Sequence, residues 1–249
     1  CRIADWDSEG QDDEALLRDV QGVLMAGGES LIRHYRRVAR PGVRLIEYGP
    51  RSSAALVPCW PTDPHEQSAL VSALVHDTVL FGQAVCSSPQ WVLVPDKAVA
   101  QALLQALQAR LDDLPPLGER ERLLQWRTVQ ELNLMQGLNA DIQVAWSAHS
   151  GWAAAIMDVA DAGRLPRGFR LIVGDMACLA QQDNMLQTLG VWPDAGALGA
   201  EVHAFHCSTL GRMHERPLLA PHDGQFELAQ WVYFVSQEPA GFTSGRQGA

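Results

Sequence analysis

Two short apolar runs, each closed by glycine, bracket an amphipathic stretch near the start of the chain, and they narrow the choice of fold most. Gly22-Val23-Leu24-Met25-Ala26-Gly27-Gly28 reads as a buried strand ending in paired glycines. Glu29 to Arg40 follows with Leu31, Ile32, Tyr35 and Val38 on one side, and Pro41-Gly42 stops it. Val43 to Tyr48 is a second strand, closed by Gly49-Pro50. Strand, helix and strand in this order form a β-α-β unit, because parallel neighbours need a crossover between them.

The same alternation continues. Asp7 to Gln21 is polar, with Ala15, Leu16, Leu17 and Val20 spaced for one helix face, and Ser53 to Val57 is apolar. Trp60 to Gln67 carries Pro61, Asp63 and Pro64 and reads as a loop. Ser68 to Leu80, Lys97 to Leu111 and Glu119 to Gln130 read as helices. Trp91 to Val94, Asp141 to Ser147 and Arg170 to Val173 read as strands, and Asn184 to Leu189 as a helix or turn ahead of Gly190. The last ten residues, rich in Gly and Ser, are expected to fray. The expectation is an α/β fold, a mainly parallel three-layer sheet with helices on both faces. Sites in such sheets collect at the C-terminal ends of strands, where Gly27-Gly28 and Gly49-Pro50 fall.

Charge removes one class of function. A formal net charge of −10 over 249 residues disfavours nucleic-acid binding, which needs clustered Lys and Arg. The one basic group, Arg33, Arg36, Arg37 and Arg40, reads as the solvated face of a surface helix. No apolar run approaches the ~18 residues of a membrane span. The five cysteines, Cys1, Cys59, Cys86, Cys178 and Cys207, are odd in number and form no CxxC pair. That argues against a disulfide framework or a zinc site and for a reducing cytoplasm. His203, His206 and His214 lack a metal-ligand spacing.

Phe81-Gly82-Gln83-Ala84-Val85-Cys86-Ser87-Ser88-Pro89-Gln90 lies between two apolar runs. A cysteine framed by Gly, Gln and two serines at the mouth of a strand is either a nucleophile or a small core thiol, and these residues alone leave both readings open.

Four segments in order carry a resemblance. They are Ala26-Gly27-Gly28-Glu29; Ile46-Glu47-Tyr48-Gly49-Pro50-Arg51-Ser52-Ser53; the Gln83 to Gln90 segment; and a downstream set of Leu186 to Gly190, Leu210 to Met213, His222-Asp223-Gly224 and Leu228. From about Trp6 to about Gln237 the chain resembles the acyl-CoA reductases of the bacterial bioluminescence (LuxC) type, a branch of the aldehyde dehydrogenase superfamily.

The resemblance implies an aldehyde-dehydrogenase-like fold. Residues 1–58 would be the last part of a Rossmann-like nucleotide-binding domain, and 59–249 the catalytic domain. It implies reduction of a long-chain fatty acyl-CoA or acyl thioester to the fatty aldehyde with NADPH, or with NADH, through an S-acyl intermediate on Cys86. Around Cys86 it implies an oxyanion hole from the backbone N–H of Cys86 or Ser87, positioning by Gln83, and Glu47 as the counterpart of the superfamily's base. Gly27, Gly28 and Gly49 would face the cofactor. His222-Asp223-Gly224 reads as a structural turn, and His76, beside Asp77, as a helix residue. Acyl-protein synthetase or transferase subunits are the implied partners, and a dimer or tetramer the implied assembly. Two other readings stand beside this one: NAD-dependent aldehyde oxidation with Glu47 as base, and a non-catalytic acyl-accepting or scaffold subunit. The chain would then be the C-terminal half of a longer reductase, or a reduced descendant.

Overall fold

The computed structural model describes residues 12–138, 141–175, 177, 186–197 and 204–232. The first unit is the expected crossover. β1 (Gly22–Ala26) and β2 (Arg44–Tyr48) pair in parallel, with α1 (Asp12–Asp19) and α2 (Glu29–Val38) beside them. Ile32 and Tyr35, one turn apart on α2, are buried, and Leu17, Met25 and Tyr35 form a small core. The buried Asp13 carboxylate accepts from Tyr35 Oη at 3.0 Å and His34 Nε2 at 2.8 Å, which ties α1 to α2. The arginines sit on the outer face as expected: Arg33 pairs with Glu29, and Arg36 with Glu47.

The second unit is a seven-stranded sheet. Its members are β3 (Ser53–Leu56), β4 (Pro89–Val94), β5 (Gln143–Trp146), β6 (Ala153–Ile156), β7 (Phe169–Val173), β8 (Leu186–Val191) and β9 (Ala204–Thr209). They lie in the order β5-β6-β7-β4-β3-β8-β9, and only the β5–β6 pair is antiparallel. Period-two alternation sorts the core into two layers. Ala55 and Val57, with Val92 and Val94, pack under α3 (Pro64–Val79) and α4 (Lys97–Gln108). Ala54 and Leu93 pack on the other face against Val129 and Leu132 of α5 (Glu119–Leu138). Two further helices, α6 (Val159–Ala162) and α7 (Glu227–Gln230), are short. No helix among the described residues is long and apolar enough to cross a membrane.

β3 joins the large sheet between β4 and β8, so the passage from one sheet to the other lies in residues 49–52. Two expectations change. Residues 60–67 are not all loop. The Asp63 carboxylate accepts from His65 N at 3.0 Å and Pro64 occupies the first turn of α3, so these turn formers signal a helix start. Leu186 to Leu189 belong to a strand buried along its whole length, and Gly190 within it is required because a Cβ would lie 2.5 Å from Met213 Sδ. β6 and β9 carry no period strong enough to announce them. Asn184 and the last ten residues lie outside the described residues.

Residues 227–232 return to the first unit: Arg44 donates to the carbonyls of Gln230 and Val232, and the Trp231 ring lies against Gly22.

Gly168, just ahead of β7, has φ +127°, and a Cβ there would overlap the Ala153 carbonyl oxygen. Gly168→Ala is expected to lower unfolding stability by at least about 1–3 kcal/mol from backbone strain alone. Gly163→Ala, at φ −66° with nothing within 4 Å, should stay within about 0.5 kcal/mol of the parent in the same denaturant titration.

Candidate functional site

A cleft of about 490 Å³ opens where the two sheets meet. One wall is the C-terminal end of β1 and β2: Ala26, Gly27, Tyr48 and Gly49. The other is built at the N-terminal ends of the large sheet's strands, from Arg51 and Ser52 before β3, Cys86 before β4, Arg167 before β7 and Gln187 at the start of β8. Strand ends of opposite sense therefore face one another. The rule of C-terminal ends holds for the first unit and reverses in the second, because the cysteine segment leads into its strand.

The cysteine loop is a chain of tight turns, with Gly82 N, Ala84 N and Ser88 N bonded to the carbonyls of Val79, Phe81 and Val85. Gln83 sits at φ +57°, a left-handed conformation costly for a residue with a Cβ. Its buried amide holds it there. Nε2 donates to Pro89 O at 2.7 Å and Gly168 O at 2.9 Å, Oε1 accepts from Gly168 N at 2.7 Å, and Gln83 O accepts from Arg167 Nη1 at 2.9 Å. Gln125 of α5 clamps Arg167 in turn through its backbone N and O. Beyond Gln83, Ser53 Oγ donates to Cys86 O at 2.6 Å while accepting from Thr188 N at 3.1 Å. The Cys86 carbonyl is thus fixed to both β3 and β8. Cys86 itself is exposed in the cleft. Among the described residues its N–H and that of Ser87 donate to no backbone carbonyl.

The Ser87 side chain turns elsewhere. Its Oγ is 2.8 Å from His214 Nδ1, and His214 Nε2 is 2.8 Å from the Asp77 carbonyl. A carbonyl only accepts, so Nε2 carries the proton and the neutral ring's Nδ1 accepts from Ser87. Phe81 packs edge-on against this ring at 5.0 Å. The Asp77 carboxylate, fully buried, accepts from Gly211 N at 2.5 Å and Met213 N at 3.3 Å.

Of the residues singled out in the sequence, Cys86, Gln83, Gly27 and Gly49 line the cleft. Gly28 is the N-cap of α2, and Ser87 is committed to His214. Glu47 is not among the lining residues: both its carboxylate oxygens accept from Arg36, on the side of β2 opposite Tyr48. His76 is exposed on α3. Sequence reasoning missed Tyr48, Arg51, Arg167, Gln187, His222 and Asp223 as cleft residues. Burial, then the Glu227 and Asp223 carboxylates, push the Tyr48 phenol up. The His222-Asp223-Gly224 landmark was visible, but nothing in it announced that the turn folds back to line the same cleft as Cys86.

The sequence matches the acyl-CoA reductase (LuxC) family over residues 4–234. No curated protein matches it. Its fold is similar to that of an oxidoreductase from Marinobacter aquaeolei, at TM-score 0.60 and 14% identity over 84% of this chain and 49% of the other. Lactaldehyde dehydrogenase from Escherichia coli is similar at TM-score 0.54 and 12% identity, over 82% and 48% of the two chains. An indole-3-acetaldehyde dehydrogenase solved with NAD+ is similar at TM-score 0.55 and 14% identity, over 84% and 48%. The chain spans about half the length of the structures it matches.

The Asp77 knot beneath the cysteine loop can be tested by stability. Burial raises the Asp77 carboxyl above its ordinary value of 3.8, and the two N–H donors offset this only in part. A raised folded-state pKa means that this group's contribution is complete below 3.8 and is lost as pH rises through the folded value. Asp77→Asn presents a single acceptor oxygen to two N–H groups, so it should cost about 1–3 kcal/mol at neutral pH. It should also flatten stability against pH above 3.8, read from denaturant midpoints.

Proposed function

Because the chain belongs to the LuxC family of acyl-CoA reductases, we propose that Cys86 accepts the acyl group of a long-chain fatty acyl thioester and that the group leaves as the fatty aldehyde. The observation that carries this reading is the exposed Cys86 side chain in a cleft whose facing wall is glycine-ended strand. The Cys86 sulfur attacks the thioester carbonyl, the donor's sulfur departs as a thiol, and an S-acyl enzyme remains. The N–H groups of Cys86 and Ser87 are free of backbone partners among the described residues and suit the oxyanion of that step. Ser53 and Gln83 hold the loop so that the donors need not reorganise as charge develops.

Gly27 and Gly49 leave bare backbone on the cleft wall, which fits the flat ring of a nicotinamide. In this reading the cofactor is NADPH, with NADH as the alternative, and when bound it supplies the hydride that reduces the acyl group. The acyl donor is fatty acyl-CoA or an acyl group carried on a synthetase or transferase subunit, and the free thiols suit a reducing cytoplasm. The position of Glu47 favours reduction over aldehyde oxidation. Oxidation to an acid needs a base to activate water against the S-acyl group, and Glu47 is engaged by Arg36 outside the cleft.

Incubation of the intact protein with an alkyne-tagged long-chain acyl-CoA should label it, and Cys86→Ser should abolish labelling; label that persists in that variant overturns the assignment. Glu47→Gln should change aldehyde formation by less than about fivefold, because a partly exposed ion pair contributes no more than ~1 kcal/mol. A drop of about a hundredfold in aldehyde oxidation, with acylation intact, would instead mark Glu47 as a base.

A further inference from the structure

We infer that His222 is the proton carrier for acylation of Cys86, taking the Sγ proton and passing it to the departing thiol. This rests on the S-acyl-Cys86 reading and deepens it.

The chemistry demands such a group. A thiol is a poor nucleophile and a thiolate a good one, and an ordinary cysteine ionises near pH 8.5, so at neutral pH only a few per cent is ready to attack. The thiolate expelled from the donor must then collect a proton. Transferring one proton from Cys86 to the leaving sulfur balances the step: the S–H bond of Cys86 and the donor's C–S bond break, and a C–S bond to Cys86 and an S–H bond on the donor form. No external acid, base or oxidant is consumed.

The cleft holds few candidates. Among the described residues its other ionisable groups are the Tyr48 phenol, already pushed up by burial; the Arg51 and Arg167 guanidiniums; and Asp223. Arginine does not release a proton in this range. Asp223 is buried and spoken for: its Oδ1 accepts from Gln187 Nε2 at 2.9 Å, and its Oδ2 is 3.9 Å from Arg51 Nε. The imidazole is the side chain that ordinarily changes charge between about pH 5 and 8, and His222 is the histidine lining the cleft.

His222 is also held there by construction. The turn from His222 to Gln225 is closed by reciprocal bonds, His222 N to Gln225 O at 2.9 Å and Gln225 N to His222 O at 2.8 Å. Within it Asp223 at φ +47° and Gly224 at φ +77° are both left-handed, and a Cβ on Gly224 would lie 2.7 Å from the Phe205 ring. A non-glycine residue in that region is costly and persists where the surroundings over-determine it. Here Gln187 and Arg51 do so through the Asp223 carboxylate. The His222 ring then packs edge-on against Tyr48, centroids 4.8 Å apart. Tyr48 ends β2, so it holds the ring in the cleft that Cys86 also lines. The charges that face the imidazole are Asp223, with Oδ1 3.9 Å from Nε2, Arg51 beyond it, and Glu227, which acts on the same Tyr48.

His222→Phe keeps the edge contact with Tyr48 and removes the titratable nitrogen. The side chain is 45% exposed, so the exchange should fold. The readout is the rate of S-acylation from the alkyne-tagged acyl-CoA, which needs no nicotinamide. In His222→Phe the rate at pH 7 should fall by about a hundredfold. Its profile should then rise with pH more steeply than the parent's, because the thiol must lose its proton without a local carrier. Added imidazole should restore part of the pH 7 rate. A His222→Phe profile that overlays the parent overturns this inference and leaves Cys86 in place. Label that is absent from the parent, or persists in Cys86→Ser, overturns the acyl-cysteine reading itself.

Discussion

The buried Gln83 amide is the interaction on which the rest of the site depends. Three hydrogen bonds at 2.7–2.9 Å join one side chain to the two strands it lies between, through Pro89 at the start of β4 and Gly168 just ahead of β7. They hold the loop backbone in a conformation it would otherwise leave. An amide suits the place, because only a group that both donates and accepts can close a ring with a backbone N–H and C=O of the same residue. Gly168 must in turn be glycine for the backbone to come that close to β6. The position of Cys86 is therefore a consequence of sheet packing and not of the loop's own preference.

Around that clamp the same logic repeats in polar groups that serve two elements at once. The Ser53 hydroxyl joins the Cys86 carbonyl to β8, and the Asp223 carboxylate lies between Gln187 and Arg51. His214 links Ser87 to the end of α3. Each is a polar side chain that meets its partners near a strand or helix end, where backbone groups lack ladder partners. A reacting group on such a lattice is pre-positioned, which is where an enzyme gains most from a rigid surround.

Much of the fold was legible in the sequence. The β1–α2–β2 crossover followed from paired glycines, one amphipathic period and a Pro-Gly stop, all local signals. β8 was not, because Leu186 to Val191 owes its state to neighbours on both sides and not to any alternation of its own. β6, with three alanines in four residues, is a strand against its local propensity for the same reason. In the site, Cys86 and Gln83 were readable because their segment is contiguous. His222, Asp223, Arg51 and Arg167 were not, since they come from three separate turns that only the topology brings together. Glu47 shows the converse. Its place at a strand end was right, but Arg36 lies one helix face away and the pair closes outside the cleft.

The stretch from His222 to Val232 ends one wall of the cleft and then crosses to the back of β1 and β2. It works as a clasp: the polypeptide that leaves the large sheet with β9 fastens on to the small one. The gap between the two bodies is therefore set by a covalent tether of fixed length as well as by contacts. Anything that pries them apart must work against that tether, and the width of the cleft at Cys86 is a property of the chain's path.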